Sequence, residues 1–164
     1  MVTSTLSPPR VAPWFDQDMN ENTVVSASRE IAAPAKDVFE LIADPARQPE
    51  WDGNDNLESS NSARVRRLGD VFVMTNTSGK IRENHIVAFE EGRLIAWRPS
   101  GVGEPQPGHE WRWDVEPIDE SSCRVTHTYN WTDLTDENRF ERARSTTSDT
   151  LMASINRLAD LATQ

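Results

Sequence analysis

The chain has 164 residues, of which 27 are acidic and 17 are lysine or arginine, so its formal net charge at pH 7 is -10. This length fits one domain with a terminal extension, and the acidic balance argues against nucleic acid or an anionic membrane as a partner. The single cysteine, Cys123, excludes an internal disulfide and any cysteine-based metal cluster or redox pair.

The first 22 residues contain three prolines and show no hydrophobic periodicity. We expect a flexible N-terminal arm over residues 1–22, followed by a folded domain over residues 23–164. Residues 1–20 contain no apolar core of the kind found in secretory signals. No stretch approaches the ~20 apolar residues of a transmembrane helix. The sequence therefore predicts a cytoplasmic protein without integral membrane association.

The domain begins with an alternating apolar pattern from Val25 to Ile31, which predicts a first strand. Pro34 then favours the first turn of a helix, whose apolar face includes Val38 and Leu41. Asp44 and the proline after it end this helix and begin a second, very short helix that runs to about residue 50.

From Leu57 onward, turn sequences divide the chain into six predicted strands, the first of them over residues 57–65. The connections are short, which favours sequential antiparallel hairpins over parallel crossovers. Together with the first strand, they predict a seven-stranded antiparallel sheet.

Thr135 precedes a predicted last helix over about residues 136–163, which would be roughly 42 Å long at 1.5 Å per residue. Its apolar residues are spaced by three and four, and Leu151, Ile155 and Leu158 should be buried. Residues 145–148 are poor helix formers, which indicates either a kink or a polar patch. Only this helix is long enough to cover the inner face of the sheet.

This order of elements resembles the START-like helix-grip superfamily (SRPBCC), in particular its bacterial polyketide cyclase/dehydrase and lipid-transport branch. The resemblance covers about residues 23–164 and rests on an ordered set of short segments: VVSASREIAAP (24–34), VFELIAD (38–44), Trp51, GDVF (69–72), LIAWR (94–98), WDVEP (113–117) and RVTHTYNW (124–131). It implies an α+β fold, in which a curved seven-stranded antiparallel sheet wraps around a long C-terminal helix, with two short helices after strand 1. It also implies a cavity between sheet and helix for a hydrophobic or amphipathic small molecule.

The side chains expected on the inner face of the sheet are rich in tryptophan. Because side chains alternate along a strand, Trp111 and Trp113 share one face, as do His127 and Tyr129 on the next strand. Such residues either fill a core or line a cavity, and the small residues of the facing helix leave room for a cavity. We predict a ligand-binding lining drawn from Phe72, Met74, Trp97, Trp111, Trp113, His127, Tyr129 and Leu151.

Two functions fit this pattern. The first is a binding or transport protein for a lipid, a polyketide-like molecule or an aromatic metabolite, since no catalytic motif is present. The second is a polyketide aromatase/cyclase or dehydratase, in which His127 and Tyr129 would direct proton transfer in the same cavity. A third reading is a filled core with function at the acidic surface or the arm.

The sequence predicts neither a cofactor nor a metal. His85 and His109 lie on different strands from His127, and neither has a second histidine at a metal-binding spacing. The expected partner is a hydrophobic small molecule. The identity of that molecule and the oligomeric state are left open.

Overall fold

The computed structural model describes residues 21–164, so the predicted arm lies outside the described residues except for its last two positions. The helices are α1, Ala35–Ala43; α2, Gln48–Trp51; α3, Phe140–Ser145; and α4, Ser148–Ala162. Two 3-10 turns, Pro45–Arg47 and Glu137–Arg139, precede α2 and α3. The strands are β1, Val24–Ile31; β2, Leu57–Ser59; β3, Val71–Asn76; β4, Ile81–Glu90; β5, Leu94–Gly101; β6, Glu110–Asp119; and β7, Ser122–Asn130.

The seven strands form one antiparallel sheet in the order β1-β7-β6-β5-β4-β3-β2. Every neighbouring pair from β2 to β7 is sequential, as short connections require, and only β1 joins from a distance to pair with β7. The predicted seven-stranded antiparallel sheet and α+β helix-grip fold are confirmed.

The strand predicted over residues 57–65 ends early, at Ser59. Beyond it, two serine side chains replace the backbone pairing with β3. The Ser60 hydroxyl donates to the Val73 carbonyl oxygen at 2.5 Å, and the Ser62 hydroxyl accepts from the Val73 N–H at 2.8 Å. Serine hydroxyls commonly compete with backbone ladders in this way, which explains why a serine-rich segment leaves the sheet.

The helix predicted over about residues 136–163 is interrupted at Thr146 and Thr147, so of the two alternatives at residues 145–148 the structure has the break. The hydroxyls of Ser145 and Thr146 both donate to the Arg142 carbonyl oxygen, at 2.7 and 3.1 Å, and Thr146 is extended. The Thr147 hydroxyl then accepts from the Thr150 N–H and caps α4. With 15 residues, α4 is roughly 22 Å long at 1.5 Å per residue.

Helix α4 packs on β1 and β7 and contacts α1 and α2. The predicted burial of its stripe is confirmed, with exposed fractions of 1% for Leu151 and 0% for Ile155 and Leu158. These side chains join residues of α1 and β7, such as Phe39 and Val125, in a continuous apolar core. Because α4 begins only at Ser148, it covers one side of the inner face and leaves the other side to shorter elements.

Candidate ligand-binding cavity

A cavity of about 560 Å³ lies beside α4, between the inner face of the sheet and the short elements that cover the part of the sheet that α4 leaves free. One wall consists of side chains from β3 to β7, and the opposite wall consists of α2, the residues after it and the segment 136–142. Of the segment predicted as the last helix, only residues 136–142 line this cavity, and no residue of α4 does so. The lining residues of this region come instead from the 3-10 turn and from α3, which both precede the break in the helix.

Five of the eight predicted lining residues lie in the cavity wall: Met74, Trp97, Trp111, Trp113 and His127. The other three are buried but do not line it. Phe72 packs edge-on against Trp97 with ring centroids 5.3 Å apart. Tyr129 packs against Trp111 at 4.3 Å, and Leu151 belongs to the core beneath α4.

The aromatic wall is built by the pairing of β6 with β7. Trp113 lies directly opposite His127 in the register, and their rings stack with centroids 3.6 Å apart at 9°. The Trp111 ring also stacks with this imidazole, with ring centroids 5.7 Å apart. Trp51 from α2 meets Trp113 edge-on at 5.2 Å, and its Nε1–H donates to the Leu41 carbonyl oxygen at 2.9 Å. The wall is therefore fixed by rings that hold one another in place.

His127 is neutral in this wall. Its Nδ1 lies 2.8 Å from the Arg112 carbonyl oxygen, and since a carbonyl only accepts, Nδ1 carries the proton. Burial lowers the pKa of His127 to about 3, and the bond to the Arg112 carbonyl only partly offsets that shift. The other ring nitrogen, Nε2, is thus an unprotonated acceptor on a residue that lines the cavity.

Two buried nitrogen atoms of the cavity wall have no hydrogen-bond partner among residues 21–164: Trp113 Nε1 and His109 Nδ1. An indole N–H is a donor only, and an unsatisfied buried donor costs about 1–3 kcal/mol. Both residues are at least nine-tenths buried. The wall of the cavity therefore contains two buried polar atoms that the described residues leave unpaired, beside a mostly aromatic surface.

His109 is a site residue that the sequence analysis did not select. It lies in the loop just before β6, next to Gly108, and it packs edge-on against Tyr129 at 6.2 Å. Burial, together with the positive charges of Arg139, Arg82 and Arg142, lowers the pKa of His109 to about 4. A lone histidine in a loop carries no periodic signal, so only the tertiary structure brings it into the cavity.

The remaining wall is polar. After an amide rotation that satisfies both of its ends, Asn56 donates to Asp52 Oδ2 at 3.2 Å and accepts from Arg142 Nη2 at 2.8 Å. Burial raises the pKa of the Asp52 carboxyl. Gln48, Asn84 and the Arg82 side chain also line the cavity. The site is therefore amphipathic, with tryptophans on the sheet and amide and charged groups around them.

Residues 21–164 contain neither a candidate metal site nor a candidate membrane-spanning helix. No cluster of three or more His, Cys, Asp or Glu side chains there is arranged to hold a metal ion. No helix in the same range is long and apolar enough to cross a membrane.

The fold and the cavity define a helix-grip protein with an internal amphipathic cavity. Residues 22–163 match the family model described as polyketide cyclase/dehydrase and lipid transport, and the chain belongs to that family. Two curated relatives, both uncharacterized proteins from strains of Mycobacterium tuberculosis, are 31% identical over 109 residues. The match covers 65% of this chain and 47% of each relative, so the chain spans about half of their length.

Solved structures share the fold at low identity. An aromatase/cyclase from Streptomyces sp. R1128 has a TM-score of 0.59 at 16% identity, over 85% of this chain and 93% of that chain. A START superfamily protein from Mycobacterium smegmatis has a TM-score of 0.59 at 14% identity, over 86% of this chain and 97% of that chain. These likenesses establish the architecture, while function depends on the residues of the cavity.

Proposed function

We propose that this protein binds an amphipathic small molecule, a lipid or an oxygenated polyketide-like or aromatic metabolite, in the cavity between β3–β7 and the α2/α3 wall. The observation that carries the proposal is the cavity of about 560 Å³ with four tryptophans in its lining, Trp51, Trp97, Trp111 and Trp113. Small-molecule sites commonly have volumes of about 300–1,000 Å³ and join apolar walls to a few placed polar groups.

The polar atoms of the wall support an oxygenated ligand over a pure hydrocarbon. Trp113 Nε1–H is a donor with no partner among the described residues, and His127 Nε2 is an acceptor. A carbonyl oxygen would satisfy the indole, and a hydroxyl would satisfy the imidazole. Family membership in polyketide cyclases, dehydrases and lipid-transport proteins supports the same class of ligand.

The same residues favour binding over catalysis as a cyclase or dehydratase. A general base works best with a pKa near the working pH, whereas burial lowers the pKa of His127 to about 3. Burial raises the pKa of Tyr129 to about 12, and Tyr129 does not line the cavity. Neither candidate for proton transfer is thus suited to that role.

Titration with N-phenyl-1-naphthylamine, a neutral apolar fluorophore, tests this proposal through quenching of tryptophan emission. We expect saturable binding by the wild type and at least a tenfold weaker affinity for Trp111→Ala, because Trp111 is the partly exposed ring of the wall. Trp131→Phe is the matched control, since Trp131 is buried outside the lining. Absence of saturable binding, or equal weakening by both variants, would contradict the proposal.

A small molecule is the only partner that the cavity argues for. The expectation that nucleic acid is not a partner, and the expected cytoplasmic location, stay predictions from the sequence.

A further inference from the structure

Basic side chains gather at the cavity of this acidic protein. Lys80, Arg82, Arg139 and Arg142 all line it, and the acidic residues of the lining are Asp52 and Asp136. Formal charges of +4 and -2 give this lining a net +2, against -10 for the whole chain. The excess is local, and it faces the space in which the proposed ligand would bind.

Most arginines of the described region are neutralised by a carboxylate. Eight of them form an ion pair within 4.0 Å, including Arg139 with Asp136 at 3.1 Å. Six form no such pair among residues 21–164, and of these only Arg82 and Arg142 line this cavity. Arg82 donates only to the Ile81 carbonyl oxygen, at 3.3 Å, and Arg142 only to the Asn56 amide oxygen. Their charges are left unmatched although the chain has an excess of acids.

The two unpaired arginines of the cavity come from opposite walls and are close enough to repel each other. Arg82 lies on β4, and Arg142 on α3. Burial, followed by the charge of Arg139, lowers the pKa of Arg82; the charge of Arg142 also lowers it, and Glu104 opposes the shift. The same three arginines act on His109, whose Nδ1 has no partner among the described residues. Like charges brought together at a partly dry wall are unfavourable unless an anion joins them.

We propose that the ligand carries an anionic head group, a carboxylate or a phosphate, which Arg82 and Arg142 bind between them beside His109. The apolar body of the same molecule lies against the tryptophans. Guanidinium groups suit this role because their N–H groups match the two oxygens of a carboxylate or phosphate. This inference rests on the proposed function, since it assigns a charge to the ligand of the same cavity.

The anionic head group can be tested by competition with N-phenyl-1-naphthylamine. Because this probe is neutral, its binding reports whether the cavity is formed and does not depend on an anion site. Decanoate, decyl phosphate and decan-1-ol share a ten-carbon chain and differ in the head group. At low ionic strength we expect the anions to displace the probe at concentrations at least tenfold lower than the alcohol. Added salt should narrow that gap, since it screens charges near the surface. The better of the two anions identifies the head group.

The arginine variants assign the effect to residues. Arg82→Gln and Arg142→Gln should each weaken displacement by the preferred anion at least fivefold and leave displacement by decan-1-ol unchanged. Arg67→Gln removes the same charge from an exposed site outside the cavity and should preserve the preference. Probe affinity in each variant reports whether the cavity is still formed.

The outcomes separate this inference from the function on which it rests. Failure of the neutral probe to bind would overturn the proposed function. Binding of the probe with equal displacement by all three competitors, or by none, would overturn the anionic head group alone. A preference for anions that survives in both Arg82→Gln and Arg142→Gln would also overturn it.

Discussion

The two sides of the inner sheet face differ in what covers them. On one side, α4 lies across β1 and β7, and its leucine and isoleucine side chains close a dry core with Phe39 and Val125. On the other side, the tryptophans of β5 and β6 face α2 and the short segment before α4, and a cavity remains. On both sides, side chains alternate between the inner and the outer face along each strand. Whether an inner side chain becomes core or cavity wall thus depends on the helix opposite it.

The break at Thr146 and Thr147 creates this difference. A helix that continued from residue 136 would present a regular apolar stripe to the whole sheet. The break instead lets α3 and the turn before it present Asp136, Arg139 and Arg142 to the tryptophans. We expect one side to contribute mainly to stability and the other mainly to ligand binding, which substitutions on the two sides can test.

The largest effect on stability should come from the covered side. Leu158→Ala removes a fully buried side chain and should lower the free energy of unfolding by about 2–5 kcal/mol, as large-to-small core changes do. Trp111→Ala, on the cavity side, should cost less, because its ring already borders open space. Urea denaturation of both variants gives the comparison. A larger loss for Trp111→Ala would show that the wall is part of the core.

A backbone change next to the cavity should have a smaller effect. Gly108 has a φ of +117°, and an added Cβ would overlap the Asp133 carbonyl oxygen, so Gly108→Ala should cost about 1–3 kcal/mol. It should also weaken probe binding, because His109 and the segment after Asp133 both belong to the site. Gly103→Ala is the control, with a φ of +72° but open space around the new Cβ. Equal effects of the two changes on binding would contradict this role of Gly108.

The neutral imidazole of His127 predicts how stability depends on pH. Its pKa is about 3 in the folded protein and near 6.5 when unfolded, so only the unfolded chain gains this proton between those values. Stability is therefore complete above pH 6.5 and falls as the pH falls toward 3. Between pH 7 and 5, the wild type should lose about 1–2 kcal/mol more than His127→Phe.

Denaturation at both pH values measures this difference. Subtraction of the variant removes the contributions of His109, whose pKa is also lowered, and of Asp52, whose raised pKa has the opposite effect. Parallel losses in the two proteins would mean that His127 is not held neutral by burial.

The smallest effect should follow deletion of residues 1–20. The sequence predicts a flexible arm there, so the thermal midpoint of the shortened protein should stay within a few degrees of the full chain. A large drop would show that the arm contributes to the domain, and a change in probe affinity would show that it reaches the cavity.

The sequence predicted the fold and the aromatic half of the candidate site better than the polar half. Strand alternation places Trp111 and Trp113 on the inner face whatever covers them. His109, Arg82 and Arg142 come from a loop, a strand start and a short helix, and only tertiary packing brings them together. Leu151 was placed in the cavity because the sequence alone does not decide between a kink and a polar patch at residues 145–148. The break depends on local hydrogen bonds from hydroxyls to the Arg142 carbonyl oxygen.

The most direct test of a ligand in this cavity is the indole N–H spectrum of the protein labelled with nitrogen-15, followed while decanoate is added. Trp113 Nε1–H has no partner among the described residues, so its proton resonance should move most, and downfield, as it donates to a ligand oxygen. The Trp51 indole already donates to Leu41 and should move less, and Trp131 lies outside the lining. Saturable movement led by Trp113 is the predicted result. A largest shift at Trp131, or no indole shift at all, would contradict binding in this cavity.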